Sequence, residues 1–179
     1  MDRRTMMKSL AITVWGMMAF PGCGPENQTE LKGLVKNLNL NQDQLANLEK
    51  LVDTFLPKTD TYGGVDLNIH HFLDKLIANC YPEDQQIEFI GGLNKLEQHA
   101  QESFGQRFSA LAPQDREMNL LLMNDESKPE EKSFFEFAKE QIILAYTSSE
   151  YFLTNFTNYD MIPGGYDGCV DVPQGTYKI

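Results

Sequence analysis

The side chains of this sequence with chemistry within reach are three histidines, two adjacent serines, three cysteines and a set of late acids. His70 and His71 are neighbours, so on a helix their side chains diverge by about 100° and do not converge on one metal ion. His99 lies a further helix along, and all three read as exposed or hydrogen-bonded histidines rather than ligands. Ser148 and Ser149 precede Glu150, but no His is near in sequence and no G-x-S-x-G turn frames either hydroxyl. Local hydrogen bonding at a helix end is the expected use of both. Asp60, Glu150, Asp160 and Asp167 sit at loops or helix ends, where acids bind cations, yet in a chain with 26 acids none stands out. Neither G-x-G-x-x-G nor G-x-x-x-x-G-K-[ST] occurs, and the glycines of 163–169 precede no helix, so no phosphate cradle is signalled. The residues by themselves assign no catalytic, cofactor-binding or metal position.

The cysteines are Cys23, Cys80 and Cys169. No C-x-x-C spacing is present, so neither a zinc ribbon nor a c-type haem is indicated. A disulfide between Cys80 and Cys169 and two independent buried thiols both remain open.

The first 23 residues read as an export signal. Arg3, Arg4 and Lys8 form a basic head, and residues 9–22 are an apolar run ending at Gly22-Cys23. Fourteen residues make about 21 Å of helix, short of the roughly 30 Å hydrocarbon core of a bilayer. Arg3-Arg4-x-Met6-Met7-Lys8 resembles the twin-arginine export pattern, with Asp2 where Ser or Thr is usual; a general secretory route stays open. Gly22 before Cys23 resembles a bacterial lipoprotein cleavage site, so lipidation at Cys23 and cleavage nearby are both open. Localisation is expected to be periplasmic or otherwise extracytoplasmic, with a lipid anchor if Cys23 is modified.

Lys and Arg number 15 against 26 Asp and Glu, a net charge of −11. Removing the signal's three bases and one acid makes it −13. Such a surface repels nucleic acid and anionic membrane, and both are excluded as partners. Residues 24–39 read as a tether, and residues 40–179 as one domain large enough for a real core.

Helical periodicity sets the elements that position everything else. Asn41 and Gln44 form a capping box, with Leu40 stapled on Leu45. Leu45, Leu48, Val52 and Phe55 then mark a buried face until Pro57. A loop carrying Thr59-Asp60-Thr61-Tyr62-Gly63-Gly64 follows. The second helix turns Ile69, Phe72, Leu73, Leu76 and Ile77 inward. Pro82 is expected at N1 of the third, with Ile87, Ile90, Leu93, Leu96 and Ala100 inside and Gly105 as terminator. Gly91-Gly92 within it marks close packing or a kink. Pro113 opens a fourth helix with Met118, Leu121 and Leu122 inward. Pro129 opens a fifth, rich in Phe134, Phe135, Phe137, Ile142, Ile143 and Leu144 and apolar nearly all round, so it should be central. A short helix is expected within 147–158, then loop chemistry. The class is all-α: a single helical domain of five to six helices with an irregular C-terminal tail.

Several short runs, in order, carry a resemblance. They are Asp2-Arg3-Arg4, Leu56-Pro57-x-Thr59-Asp60-Thr61-x-Gly63, Phe72-Leu73-Asp74 and Tyr81-Pro82-Glu83. Phe104-Gly105 with Phe108 and Leu111, Tyr146-Thr147-Ser148 and Pro163-Gly164-x-Tyr166-x-Gly168-Cys169 complete the set. Together they resemble the small subunit (subunit 3) of membrane-associated gluconate 2-dehydrogenase and related sugar dehydrogenases. Cys80 departs from the pattern, standing where an aromatic is often expected. The resemblance implies a non-catalytic accessory subunit that supports maturation, export and assembly. Its partner would be a large flavoprotein of the glucose–methanol–choline type, which would carry the FAD; a cytochrome c subunit is the further partner implied. Tyr146, Thr147, Tyr151, Pro163, Gly164, Tyr166 and Gly168 are then the expected partner interface, since Tyr offers a large rigid contact with a polar tip. The competing reading is a stand-alone periplasmic lipoprotein that binds a small ligand such as a sugar. An exposed apolar surface would favour the accessory subunit.

Overall fold

A computed structural model describes residues 36–157, 159–162, 164 and 169, and those residues form six α-helices and no strand. They are α1 (Gln42–Phe55), α2 (Ile69–Cys80), α3 (Glu83–Phe104), α4 (Pro113–Met123), α5 (Pro129–Thr147) and α6 (Glu150–Phe156), with a 3₁₀ turn at Phe108–Ala110. None is long and apolar enough to cross a membrane. The chain divides between Lys36 and Asn37, and the fold described is the second unit.

Local chemistry explains several boundaries. Asn41 Oδ1 accepts from Gln44 N–H at 2.8 Å while Gln44 Oε1 accepts from Asn41 N–H at 3.0 Å, the reciprocal box expected from sequence. Pro82 stands one residue earlier than expected, as the N-cap of α3, with Glu83 and Asp84 in the positive first turn. Gly105 closes α3 at φ +67°, a left-handed conformation that glycine takes without a Cβ penalty. Pro113 and Pro129 each occupy the first turn of their helices.

α1, α3 and α5 each touch every other helix among α1–α5, so the three together form the centre. Leu48, Leu51, Val52, Ile77, Leu93, Leu96, Phe108, Met123 and Ile142 between them are fully buried. Each such side chain contributes about 1.5–3 kcal/mol. The expected close packing falls on Gly92 alone. A Cβ there would run into the Phe134 ring, whereas among the described residues a Cβ on Gly91 would meet nothing within 4 Å. Each glycine costs the helix about 1 kcal/mol relative to Ala.

Four faces differ from expectation. On α4, Met118, Leu121 and Leu122 are exposed, and the inner face is Arg116, Asn119, Leu120 and Met123. Arg116 Nη2 pairs with Asp53 Oδ2 at 2.9 Å, and Asn119 Nδ2 donates to the Leu96 carbonyl at 3.1 Å. Those two bonds hold the helix about one residue step from the apolar face expected. On α5, Phe134, Ala138, Gln141, Ile142 and Ala145 face inward while Ile143 and Leu144 are exposed. Central position thus does not bury this helix all round. On α2 and α3, Phe72 and Ile87 turn outward, and Phe89 takes the buried place on α3.

Candidate partner interface

Pro57 ends α1, and the chain turns back within a few residues. Gly64 N–H donates to the Leu56 carbonyl at 2.9 Å, and Ile69 N–H to the Gly64 carbonyl at 3.0 Å. Gly63 N–H donates to Asp66 Oδ2 at 3.0 Å, and Lys58 Nζ reaches Asp66 Oδ1 at 3.0 Å. The Gly63 N–H, then the Lys58 ammonium, hold the Asp66 carboxyl below its ordinary pKa. A Cβ on Gly63 would lie 2.7 Å from Lys58 N, and one on Gly64 would lie 2.5 Å from Val52 Cγ1. Only glycine fits this loop, which explains the Leu56-Pro57…Gly63 run in physical terms.

The loop presents Tyr62, 53% exposed. Its ring lies 4.7 Å from that of Tyr151 on α6, Lys58 Nζ stands 6.0 Å over it, and Tyr62 N–H donates to Tyr151 Oη at 3.4 Å. From Tyr151 the rings continue to Phe156 (5.8 Å), Phe152 (5.4 Å) and Tyr146 at the end of α5 (5.7 Å). These rings, α5 and the loop hold α6 in place, although α6 buries no residue of its own. Beyond it Tyr159, Met161 and Ile162 are exposed, the last two by 79% and 81%. The arrangement is an aromatic surface with an apolar fringe, built from two segments that are far apart in the chain.

The serines at its edge are spent on helix ends. Ser148 Oγ donates to the Leu144 carbonyl at 2.7 Å; Ser149 Oγ donates to the Tyr146 carbonyl at 2.6 Å and accepts from Phe152 N–H at 3.2 Å. Thr147 Oγ1 donates to the Ile143 carbonyl at 2.9 Å.

Of the residues expected at the interface, Tyr146, Thr147 and Tyr151 lie together at the α5–α6 corner, and Gly164 is exposed. Pro163, Tyr166 and Gly168 lie outside the described residues, as do Arg3, Arg4, Lys8 and Cys23. Tyr62 is the residue that sequence reading missed. Its signal was its place inside the loop run, where spacing along the chain gives no hint of a partner on α6. Cys80 and Cys169 are both exposed, so neither is the buried thiol allowed above.

The other recurring runs serve the fold. Asp74 Oδ1 accepts from Leu38 N–H at 2.8 Å and pins the chain ahead of α1. Tyr81 meets Phe137 edge-on at 5.2 Å, and burial pushes its phenol up, with the Glu140 charge adding to the effect. Phe108 and Leu111 plug the core after Gly105. Among the histidines, His99 Nε2 lies 3.0 Å from Glu131 Oε2, tying α3 to α5. The His70 and His71 rings do not diverge as expected: their centroids are 4.2 Å apart. His70 is buried, its Nδ1 has no hydrogen-bond partner, and burial, followed by the neighbouring His71, lowers its pKa. Among the described residues, no three His, Cys, Asp or Glu side chains gather as a metal site.

Among curated proteins and among solved structures, none matches the chain. A family profile described as gluconate 2-dehydrogenase subunit 3 matches residues 42–164, a span that runs from the first residue of α1 through the aromatic surface. The chain belongs to the gluconate 2-dehydrogenase subunit 3 family, whose members are subunits of a dehydrogenase complex.

Proposed function

We propose that this chain is a non-catalytic accessory subunit of a periplasmic or membrane-associated, flavin-dependent sugar or sugar-acid dehydrogenase. It supports maturation, export and assembly of a large flavoprotein of the glucose–methanol–choline type. FAD belongs to that partner, and a cytochrome c subunit completes the electron path. A flavin is inserted in the cytoplasm, so a leaderless flavoprotein would travel bound to the chain that carries Arg3, Arg4 and Lys8. Lipidation at Cys23 would hold the pair at the membrane.

The observation that carries this reading is the Tyr62–Tyr151 surface, taken with family membership. Exposed Tyr62, Phe156, Tyr159, Met161 and Ile162 suit burial against a protein. A stand-alone ligand binder would have no use for such a fringe. The test is co-expression of the flavoprotein with the wild-type chain, with Tyr62→Ala/Tyr151→Ala, or without the chain. The wild type is expected to bring active flavoprotein to the periplasm; the double variant should lower its yield at least tenfold. Equal yield and activity without the chain would refute the proposal.

A further inference from the structure

A groove of about 650 Å³ runs between α3 and the first half of α5. Phe89, Phe134 and Phe137 supply its apolar wall, Gly91 and Gly92 lie along it, and Glu88, Lys95 and Glu130 are its charged groups. Gly92 is explained by Phe134, which occupies the space of a Cβ. Gly91 has no such explanation, because among the described residues nothing approaches within 4 Å of where its Cβ would be. A glycine inside a long helix lowers helix stability, and an occupant that comes close to the backbone is a reason to keep one. Ile87, one turn back from Gly91 on α3 and outside the groove lining, is an exposed apolar side chain at 63%. The charge at the rim is also unbalanced. Glu130 Oε2 lies 2.6 Å from Lys95 Nζ, which leaves the exposed Glu88 as the carboxylate of the groove without a counter-charge among the described residues.

We infer that this groove seats a polypeptide segment of the large subunit, in addition to the contact made at the aromatic surface. The segment sets an apolar side chain against the phenylalanines, lays its backbone against Gly91 and sets a Lys or Arg against Glu88. Charge complementarity selects that chemistry: the rim and the whole chain are acidic, so a basic flank is attracted and an acidic one repelled. The inference rests on the accessory-subunit reading. It adds a separate site, since Phe137 and Tyr146 are about 14 Å apart along α5.

The experiment measures the Kd of the chain for the purified large subunit, for wild type and for Gly91→Ala, Glu88→Lys and Tyr151→Ala, alongside the Tm of each free chain. Gly91→Ala is expected to raise the Tm of the free chain by about 2–5 °C while weakening the complex at least tenfold. Glu88→Lys should weaken the complex and flatten its salt dependence. If Gly91→Ala and Glu88→Lys bind as wild type while Tyr151→Ala weakens binding, the groove is not a contact and the accessory reading stands. If the wild-type chain does not bind the large subunit, both fall. A lower Tm for Gly91→Ala would mean that the glycine serves the fold, which also overturns the inference. So would a self-dimer abolished by Gly91→Ala, or a wild-type Tm rise with gluconate or glucose that Gly91→Ala removes, each with unchanged flavoprotein binding.

Discussion

His70 shows how one side chain ties stability to pH. It faces the core from α2, with the His71 ring against it and Glu49 of α1 as the opposing charge. Burial favours the neutral ring, so its folded pKa lies below the ordinary 6.5. The unfolded chain therefore takes up the proton first as pH falls. Stability is full above 6.5, declines below it and levels once the folded pKa is passed. Urea unfolding at pH 7.5 and 5.5 should show this loss in the wild type and a smaller loss in His70→Leu. Asp66 and Glu130, held below their ordinary values by the Gly63 N–H and by Lys95, act in a separate window nearer pH 4. Gly63→Ala belongs to the same scale. Its Cβ would press on the backbone at Lys58, so a loss of about 1–3 kcal/mol is expected in a denaturant titration.

At the scale of the element, α4 and α6 are the informative helices. Residues 120–123 are all apolar, so hydrophobicity gives α4 no unique inner face. The face is chosen by Arg116 and Asn119, polar residues that a count of apolar positions passes over. Asp53→Asn leaves the Arg116 guanidinium buried without its counter-charge and should cost about 3 kcal/mol by equilibrium unfolding. α6 is the opposite case. Seven residues with none buried cannot hold a helix alone, and ring contacts do much of the work. Phe152→Ala should therefore raise amide exchange across Glu150–Phe156 at least tenfold while lowering the global unfolding free energy by less than about 1 kcal/mol. Loss of protection spreading through α3 would show that α6 belongs to the core.

Taken whole, the sequence determined the helices and little of their mutual aim. Asn41 with Gln44, Pro82, Gly105, Pro113 and Pro129 set boundaries because caps and proline act through neighbouring backbone groups, which the order of residues states directly. The family's loop run was equally visible, since a glycine-dependent turn leaves its mark at fixed spacing. Which side of a helix faces inward was legible where apolar residues are sparse, as at Leu48 and Val52. It was lost where they crowd, as at Leu121, Leu122, Ile143 and Leu144. Only the tertiary structure brought Tyr62 against Tyr151, filled the space over Gly92 with Phe134 and left Gly91 open. Those are contacts between distant segments. They depend on how helices settle against one another, and the free energy that decides it is a sum over the whole core that no local window contains.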